Sequence, residues 1–200
     1  MTATTPTPQG IVGDSLRDFA ALARDRRTNL RVDSQRAVPT ELVEQLCELV
    51  TWAPNHKRTE PWRFVVFSGA GRAKLGDAFE SSQIADGVTD DGKLTKARTK
   101  YGRAPVVVAV IASGDGNPVR REENRDAVAA GIQNMLLGAT AAGLSSFWST
   151  GGATVAAGVR ALCDCIDDEQ IIGLIYLGWP LDDALVPIPA RAPARIVYHD

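Results

Sequence analysis

Apolar residues recur at helical spacing in three strong stretches of the chain. The pattern predicts a helix from Ser15 to about Arg24, a second helix that begins around Thr40, and a third from Glu122 to Ala142. Ser15 with Asp18 three residues later is typical of a helix start in which the hydroxyl caps the first turn. The third helix is apolar on most sides, yet too interrupted by polar residues to span a membrane. It is expected to be the central helix of a core, or half of a core that a second subunit completes.

Short apolar runs predict the strands of a sheet. The run from Ala104 to Ala112 is continuously apolar and bounded by turn residues, as in a strand that is buried on both faces. Three further strands are predicted at Arg63–Ser68, Leu144–Ser149 and Gln170–Gly178. The proline-rich stretch from Pro187 to Pro193 cannot be helical and is expected to run extended along a surface.

Weaker patterns occupy the remaining parts of the chain. Helices are predicted near Arg72–Glu80, around Lys93–Tyr101, and from the turn Gly151–Thr154 to about Cys163. The first two lie in the polar stretch 69–102, which has few strong signals. That stretch is expected to be a mobile excursion over a site.

Length and charge narrow the class of protein. A chain of 200 residues can bury one substantial core, so residues 15–200 are expected to form a single domain after a disordered, Thr/Pro-rich leader at 1–14. Its 22 basic and 24 acidic residues give a net charge of −2, and no overall field favours nucleic acid or an anionic membrane. Any anion that the chain binds must therefore be held locally.

The cysteines and the first residues indicate the compartment. Cys47, Cys163 and Cys165 are odd in number and lack C-x-x-C spacing or a histidine cluster, which argues against a disulfide framework and a zinc site. The first ten residues lack the basic and apolar regions of an export signal. A cytoplasmic location is the expectation.

The loop from Ala53 to Trp62 has the densest chemistry in the chain. Pro54 ends the preceding helix and Pro61 leads into the next strand, so both ends of the loop are stiff. Between the prolines lie an amide, an imidazole, two cations, a hydroxyl and a carboxylate. The residues alone leave two interpretations open, a binding loop or a solvated connector.

A second candidate site follows the first helix, at Asp25–Arg31. Arg26, Arg27 and Thr28 offer guanidinium forks and a hydroxyl, which match the oxygens of a phosphate. The alternative is that these arginines only complement the dipole at the end of a helix. A weaker signal of the same kind is the turn at Gly151–Thr154, whose backbone N–H groups can face the acceptors of a ligand.

Several catalytic motifs are absent from the sequence. It contains no G-x-S-x-G elbow, Walker lysine loop, H-E-x-x-H or strand-anchored G-x-G-x-x-G. His56 and His199 are its only histidines, and His199 is the penultimate residue. Hydrolytic chemistry therefore loses most of its support, and a cofactor that carries the chemistry itself becomes the natural alternative.

The order of several short motifs resembles the nitroreductase family of FMN-dependent NAD(P)H oxidoreductases, in particular its compact bacterial subgroup. These motifs are Arg26-Arg27-Thr28, Ala53-Pro54-Asn55-His56-Lys57 with Glu60-Pro61-Trp62 before a strand, Phe147-Trp148-Ser149-Thr150-Gly151, and Tyr176-Leu177-Gly178-Trp179-Pro180. Together they extend over nearly the whole chain from about Ser15.

The resemblance implies an α+β fold with a central mixed β-sheet flanked by helices, in an intertwined homodimer with two FMN sites at the subunit interface. Position in the motifs gives nine expected FMN-binding residues, which are Arg26, Arg27, Thr28, His56, Trp148, Ser149, Thr150, Gly151 and Arg191. The three residues after the first helix would hold the phosphate and ribityl chain, and His56 would approach the FMN. The segment from Trp148 would run beside the isoalloxazine, and Arg191 would add a basic contact to phosphate.

The activity that the resemblance implies is hydride transfer. NADH or NADPH would reduce the flavin at N5, and an electron-poor small molecule such as a nitroaromatic or a quinone would then be reduced, in a ping-pong cycle. No side chain need act as a nucleophile, because the transfer depends on the placement of two ring systems. Two other classes stay open: a flavin-binding carrier or regulator without turnover, and an FMN enzyme of different chemistry on the same fold.

Overall fold

The structure, a computed structural model, describes residues 13–182 and 186–199. Its elements are, in chain order, α1 (Asp14–Asp25), α2 (Thr40–Thr51), β1 (Trp62–Ser68), α3 (Gly71–Ala85), α4 (Asp91–Thr99), β2 (Val106–Ala112), α5 (Pro118–Ala141), β3 (Ser145–Ser149), α6 (Gly152–Val155), α7 (Ala157–Leu162) and β4 (Gln170–Gly178). Residues 1–12 of the predicted leader lie outside the described residues, while Asp14 already belongs to α1.

The four strands form one sheet in the order β1-β2-β4-β3. All three pairings are antiparallel, with Phe64 opposite Val110 and Val108 opposite Ile175. The predicted α+β class and the four predicted strands are confirmed. The expected mixture of strand directions is absent from these four strands, and among the described residues parallel pairing is confined to a bridge between Thr28 and Ser146.

Strand β2 lies at the centre of two apolar layers, as its continuous apolar run predicted. All seven of its residues are buried. Val106, Val108 and Val110 pack into one cluster with α2 and α5, whereas Val107, Ala109 and Ile111 pack into the other with α3 and α7. Because side chains alternate across a strand, one strand contributes to both layers.

Helix α5 begins four residues before the predicted start. Asn117 caps it by accepting hydrogen bonds from the N–H groups of Val119 and Arg120, and Pro118 occupies the first turn. This combination is a stronger start signal than the apolar pattern that begins at Glu122. Further along, a Cβ at Gly131 would lie 2.4 Å from the Val50 carbonyl oxygen, so the glycine lets α2 approach α5 closely.

The stretch 69–102 forms part of the core. Leu75 and Phe79 of α3 and Tyr101, directly after α4, are buried against the sheet. A Cβ at Gly76 would lie 1.9 Å from the Arg98 carbonyl oxygen, so the glycine lets the backbone of α3 approach the backbone of α4 closely. The expectation of a mobile excursion over a site is therefore wrong, since the apolar side chains of this stretch pack against the sheet.

Two predicted helices have different bounds or caps. At α1 the N-cap is Gly13 without a side-chain hydrogen bond, so the predicted Ser15 cap is wrong because Ser15 already lies inside the helix. The helix predicted to run to Cys163 is divided into α6 and α7, because Ala156 between them has an extended backbone with φ −63° and ψ 127°. Its side chain is buried in the core, which holds the break in place.

The loop between α7 and β4 is fastened to the edge strand β1. Arg63 donates from Nε to Oε1 of Glu169 at 2.8 Å and from Nη1 to the Cys163 carbonyl at 2.8 Å. The hydrogen bond from Arg63 is the main reason why the pKa of Glu169 lies below its ordinary value. We refer to this ion pair and its carbonyl contact as the β1 clamp.

Two segments expose apolar side chains. Helix α1 buries no residue, and its Leu16 and Phe19 are 56% and 55% exposed. The described part of the tail, residues 186–199, has no regular structure and is exposed throughout, including Ile188, Ile196 and Tyr198. Among the described residues, no helix has the length and apolar character needed to cross a membrane.

Candidate functional site

The residues after α1 run along the edge of the sheet. Thr28 forms its bridge with Ser146 of β3, and the N–H of Asn29 donates to the Ser146 carbonyl at 3.1 Å. Because successive side chains of an extended segment point in opposite directions, Arg26 and Thr28 share one side and Arg27 lies on the other. The bridge therefore brings the end of α1 to a strand far away in the sequence.

Arg26 and Thr28 open onto a cavity of about 410 Å³, which we call the central cavity. It is lined by Arg26, Thr28, Gln133, Leu136, Ser146, Trp148 and Thr150. These residues combine one cation, one indole, one amide and three hydroxyls, a mixture suited to a flat ring with polar edges.

Strand β3 and the residue after it supply one wall of the central cavity from alternate positions. Ser146, Trp148 and Thr150 line it. Phe147 packs in the cluster on the opposite side of the sheet, so Ser149, in phase with Phe147, is placed away from the cavity. Gly151 follows as the N-cap of α6 with φ 107°, a backbone conformation that a glycine adopts without strain.

The indole of Trp148 is seated on β4. Its Nε1 donates to the Ile172 carbonyl at 3.2 Å. Beside that carbonyl, Gly173 leaves room for the ring, since a Cβ there would lie 2.1 Å from Trp148 Nε1. The side chain is half-buried, with one part on the sheet and another facing the central cavity.

Arginines surround a smaller cavity of about 150 Å³, which we call the arginine cavity. It is lined by Ala23, Arg24, Arg26, Arg27, Ile188, Pro189 and Arg191. The pKa of Arg26 is lowered, first because partial burial disfavours its charged form and further because Arg27 and Arg191 carry like charges nearby. Such convergence of guanidinium groups favours an anion between them.

Several buried polar atoms next to these cavities have no hydrogen-bond partner among the described residues. Arg27 donates from Nη1 to the Arg26 carbonyl at 2.6 Å, yet its Nε and Nη2 are buried and unpaired. The Ser146 hydroxyl is likewise unpaired, although this residue is only 2% exposed. Buried donors without partners cost free energy, so these atoms are candidates for contact with a ligand.

His56 lies in a different cavity of about 360 Å³, which we call the histidine cavity. It is lined by Pro54, His56, Glu123, Asp126, Ala127 and Ala130. His56 Nδ1 is 2.9 Å from Oε2 of Glu123. Within one chain, therefore, His56 is not brought to the wall that carries Arg26, Thr28, Trp148 and Thr150.

The loop that carries His56 is held by a buried residue of α5. Asn124, 1% exposed, accepts a hydrogen bond from the Thr59 hydroxyl and donates to the Ser113 carbonyl at 3.3 Å. Asn55 in turn accepts from the N–H of Glu60 at 2.9 Å. Lys57, Arg58 and Glu60 have positive φ values of 63°, 50° and 49°. These conformations are unfavourable for residues other than glycine, so the hydrogen bonds must hold them.

The cysteines are not placed as nucleophiles. All three are free thiols. Burial raises the pKa of Cys47 to about 11 and that of Cys163 to about 12, so both stay protonated at neutral pH. The described residues also contain no group of three or more His, Cys, Asp or Glu side chains that could hold a metal ion.

Helix α5 contributes to both the histidine cavity and the central cavity. Glu123, Asp126, Ala127 and Ala130 face the first, and Gln133 and Leu136 face the second. From Ala127 to Leu136 these residues are three positions apart, so each is turned by about 60° from the one before, and the series winds around the helix from the first cavity to the second. Gln133 and Ser146 were missed in the sequence. Gln133 had only its polarity within an apolar helix as a signal, and Ser146 had its spacing two residues before Trp148.

Comparisons with known proteins agree with this fold. The model of the Nitroreductase family matches residues 23–179. The chain is 33% identical over 175 residues to "Putative NAD(P)H nitroreductase YdjA" of Escherichia coli (strain K12), an alignment that covers 86% of this chain and 95% of that protein.

Solved structures give the same result. A nitroreductase-like family protein from Bacillus cereus superposes with a TM-score of 0.77 at 27% identity over 98% of both chains. A nitroreductase with bound FMN from Bacteroides fragilis superposes with a TM-score of 0.71 at 23% identity, over 94% of this chain and all of the other. The family match over most of the chain, together with the identity to the Escherichia coli protein, shows that this chain belongs to the nitroreductase family, as its motifs predicted.

Proposed function

We propose that the protein is an FMN-dependent NAD(P)H oxidoreductase that reduces electron-poor small molecules such as nitroaromatics or quinones. The observation that carries the proposal is that Arg26 lines both the central cavity and the arginine cavity. A ligand with a flat ring at one end and a phosphate at the other suits two cavities that share a lining arginine. FMN has this shape, and the related Bacteroides fragilis structure contains it.

The donors present on this chain fit the phosphate end of FMN. Arg26, Arg27 and Arg191 converge on the arginine cavity, and their mutual repulsion is relieved when a dianion lies between them. The unpaired Nε and Nη2 of Arg27 provide two further donors beside them. The helix-dipole alternative explains neither the convergence with Arg191 nor the buried unpaired donors.

The residues of the central cavity fit the ring end. Trp148 provides an aromatic wall, while Thr28, Thr150 and the unpaired Ser146 hydroxyl provide hydrogen-bonding groups. Strand β3 is the last of the four strands, and the described pairing on its outer side is at Ser146, with Thr28 and Asn29. We propose that backbone groups of the segment from Trp148 to Gly151 bind the polar edge of the isoalloxazine.

When bound, FMN would supply the redox chemistry, as the carrier of a hydride between NADH or NADPH and the acceptor. The chain positions the cofactor, since the described lining of the central cavity contains no cysteine nucleophile and no histidine or carboxylate that could activate the Ser146 hydroxyl. NAD(P)H and the acceptor would occupy the same face of the ring in turn, which gives ping-pong kinetics.

We further propose a homodimer with the cofactor at the subunit interface. The exposed Leu16 and Phe19 of α1 and the exposed apolar residues of the tail would be covered by a second copy. His56 faces a cavity of its own within one chain. In a dimer it can approach the cofactor that the second subunit binds through Arg26 and Thr28, which reconciles the motif with the geometry.

The first test is the cofactor itself. The purified protein should be yellow and release FMN on denaturation, identified by chromatography and mass spectrometry. Recovery of FAD, or a colourless protein that ignores added FMN, would contradict the proposal.

The second test is turnover. The yellow protein should consume NADH or NADPH steadily when a quinone is present, followed at the absorbance of the reduced nicotinamide. A protein that binds FMN but shows no consumption with quinones or nitroaromatics would instead be a flavin carrier or regulator.

A further inference from the structure

The place of Trp148 in the central cavity depends on a glycine of the neighbouring strand. Trp148 pairs with Ile175, so Gly173 is its diagonal neighbour across the two strands. A Cβ at Gly173 would lie 2.1 Å from Nε1 and 2.4 Å from Cδ1 of Trp148. These separations are far below van der Waals contact, so any side chain at position 173 must displace the indole.

A bulge in β4 also holds the indole, and we call Gly173 together with this bulge the seat of Trp148. Val110 pairs with Gly173 and Ile111 pairs with Ile171, which leaves Ile172 without a partner on β2. Its carbonyl accepts the hydrogen bond from Trp148 Nε1. The extra residue thus supplies an acceptor for the indole, and the next residue supplies the space for it.

The seat has a consequence for the central cavity. Trp148 lines the cavity from β3, and Leu136 and Gln133 line it from α5. An indole displaced from β4 has the cavity as its nearest open space, because the layer behind it is filled by Ile172, Ile175 and Leu177. The position of the ring therefore sets how much space remains between the sheet and α5.

We propose that Gly173 and the bulge at Ile172 are positioning elements that hold the indole of Trp148 against the sheet and keep the central cavity open for a planar ring system. The identification of this ring as the isoalloxazine of FMN rests on the proposed function. Gly173 acts through Trp148 and does not itself line the cavity. Its effect belongs to the ring end of the ligand and not to the phosphate end.

Binding by the apoprotein gives the first measurement. Gly173→Ala should weaken FMN binding by about tenfold or more, because overpacking a close contact forces the indole out of place. Riboflavin should lose the same factor, since the phosphate is not involved. Gly102→Ala is the matched control, because Gly102 is exposed and a Cβ there meets nothing within 4 Å. It should leave both affinities unchanged.

A double-mutant cycle shows whether the effect passes through Trp148. In a Trp148→Ala background the methyl group introduced at position 173 has room, so adding Gly173→Ala should cause no further loss of affinity. Equal losses in the two backgrounds would overturn the proposal. If Gly173→Ala alone fails to fold, the double variant should fold and bind FMN as Trp148→Ala does. A double variant that also fails to fold would contradict the idea.

A measurement without flavin separates this proposal from the proposed function. In apoprotein with ¹⁵N-labelled tryptophan, the indole N–H resonance of Trp148 is identified by its loss in Trp148→Phe. Gly173→Ala should shift this resonance and speed its hydrogen exchange, because the bond to the Ile172 carbonyl is broken. An unchanged resonance would refute the role of Gly173 in positioning the indole, even if the protein binds FMN. If the wild-type protein does not bind FMN but Gly173→Ala still shifts the resonance, only the proposed function is refuted.

Discussion

Arg26 is the side chain that the central and arginine cavities share. A charge-assisted hydrogen bond contributes about 1.5–3 kcal/mol, so Arg26→Ala should weaken FMN binding about ten- to a hundredfold. Riboflavin, which lacks the phosphate, should be affected much less. Fluorescence titration of the apoprotein with both ligands measures the difference.

Controls for this prediction are available on the same helix and in the same cavity. Arg17 is exposed and pairs with Asp14 on α1, so Arg17→Ala should leave the affinities for FMN and riboflavin unchanged. Arg27→Ala should show the same preference for FMN, since its unpaired donors lie beside the arginine cavity. Equal losses of affinity for FMN and riboflavin in Arg26→Ala would mean that the phosphate does not bind at Arg26. Arg191 would then be the next residue to test.

Ser146 allows a test that separates folding from binding. Its hydroxyl is buried and unpaired, so Ser146→Ala should leave the free energy of unfolding of the apoprotein unchanged or raise it by up to about 1 kcal/mol. If the hydroxyl binds the ligand, FMN affinity should fall about three- to tenfold. Denaturant unfolding and FMN titration provide the two values.

The neighbouring Ser145 is the matched control, because its hydroxyl accepts a hydrogen bond from Asn29 Nδ2 at 3.1 Å. Ser145→Ala should lower stability without a selective effect on FMN. Loss of stability in Ser146→Ala with unchanged affinity would assign that hydroxyl a structural role.

At the scale of elements, the β1 clamp predicts a dependence of stability on pH. The pKa of Glu169 is depressed in the folded protein, so its contribution is complete above the ordinary glutamate pKa and is lost as the pH falls through the lowered folded value. Glu169→Gln should therefore lower the free energy of unfolding by about 1–3 kcal/mol at neutral pH. The deficit should shrink as the pH falls below the ordinary value of 4.5.

Urea unfolding at several pH values checks this prediction. Asp168→Asn is the control, since that carboxylate is half exposed and lies 4.0 Å from Arg121. It should change stability little at any pH. A deficit in Glu169→Gln that stays constant down to about pH 3 would show that the clamp acts through packing and not through charge.

The elements that could be predicted were those whose signals are local. A run of apolar residues from Val106 to Ala112 leaves few alternatives to a buried central strand. The start of α5 was missed because the Asn117 side chain caps backbone N–H groups and Pro118 fixes a helical φ, neither of which an apolar pattern contains. The break at Ala156 was missed for a related reason, because tertiary packing of a small side chain caused it.

At the scale of the whole molecule, the tail connects cofactor binding to assembly. Removing residues 186–199 deletes Arg191 and the exposed Ile188, Ile196 and Tyr198. We expect the shortened chain to bind FMN more weakly and to dissociate at micromolar concentration, where the full chain should be a dimer by light scattering. Arg191→Ala should weaken FMN binding while leaving the dimer intact.

Two outcomes would contradict this expectation. A full chain that is monomeric yet folded and flavin-loaded would remove the need for a partner. A shortened chain that stays dimeric would place the interface on other elements, of which α1 is the first candidate.

The sequence contained the residues of the candidate site but not their grouping. Arg26 and Trp148 meet because Thr28 bridges Ser146, a contact between segments more than a hundred residues apart that no local pattern encodes. The same bridge separates Arg27 from Thr28 by alternation, although the motif presents them as neighbours. The partition of His56 into a separate cavity is likewise a property of the folded chain.

The residues that α5 contributes to the histidine cavity and the central cavity depend on its helical phase. Ala130 faces the histidine cavity and Gln133, three residues later, faces the central cavity, so both depend on the helical phase between them. A single residue inserted there would rotate everything that follows by about 100° and turn Gln133 and Leu136 out of the central cavity. A point substitution on α5 changes one contact, whereas a change of length shifts every contact that follows it. We therefore expect functional variants of this chain to keep the spacing from Ala130 to Leu136, while the loops at the two ends of α5 can change in length.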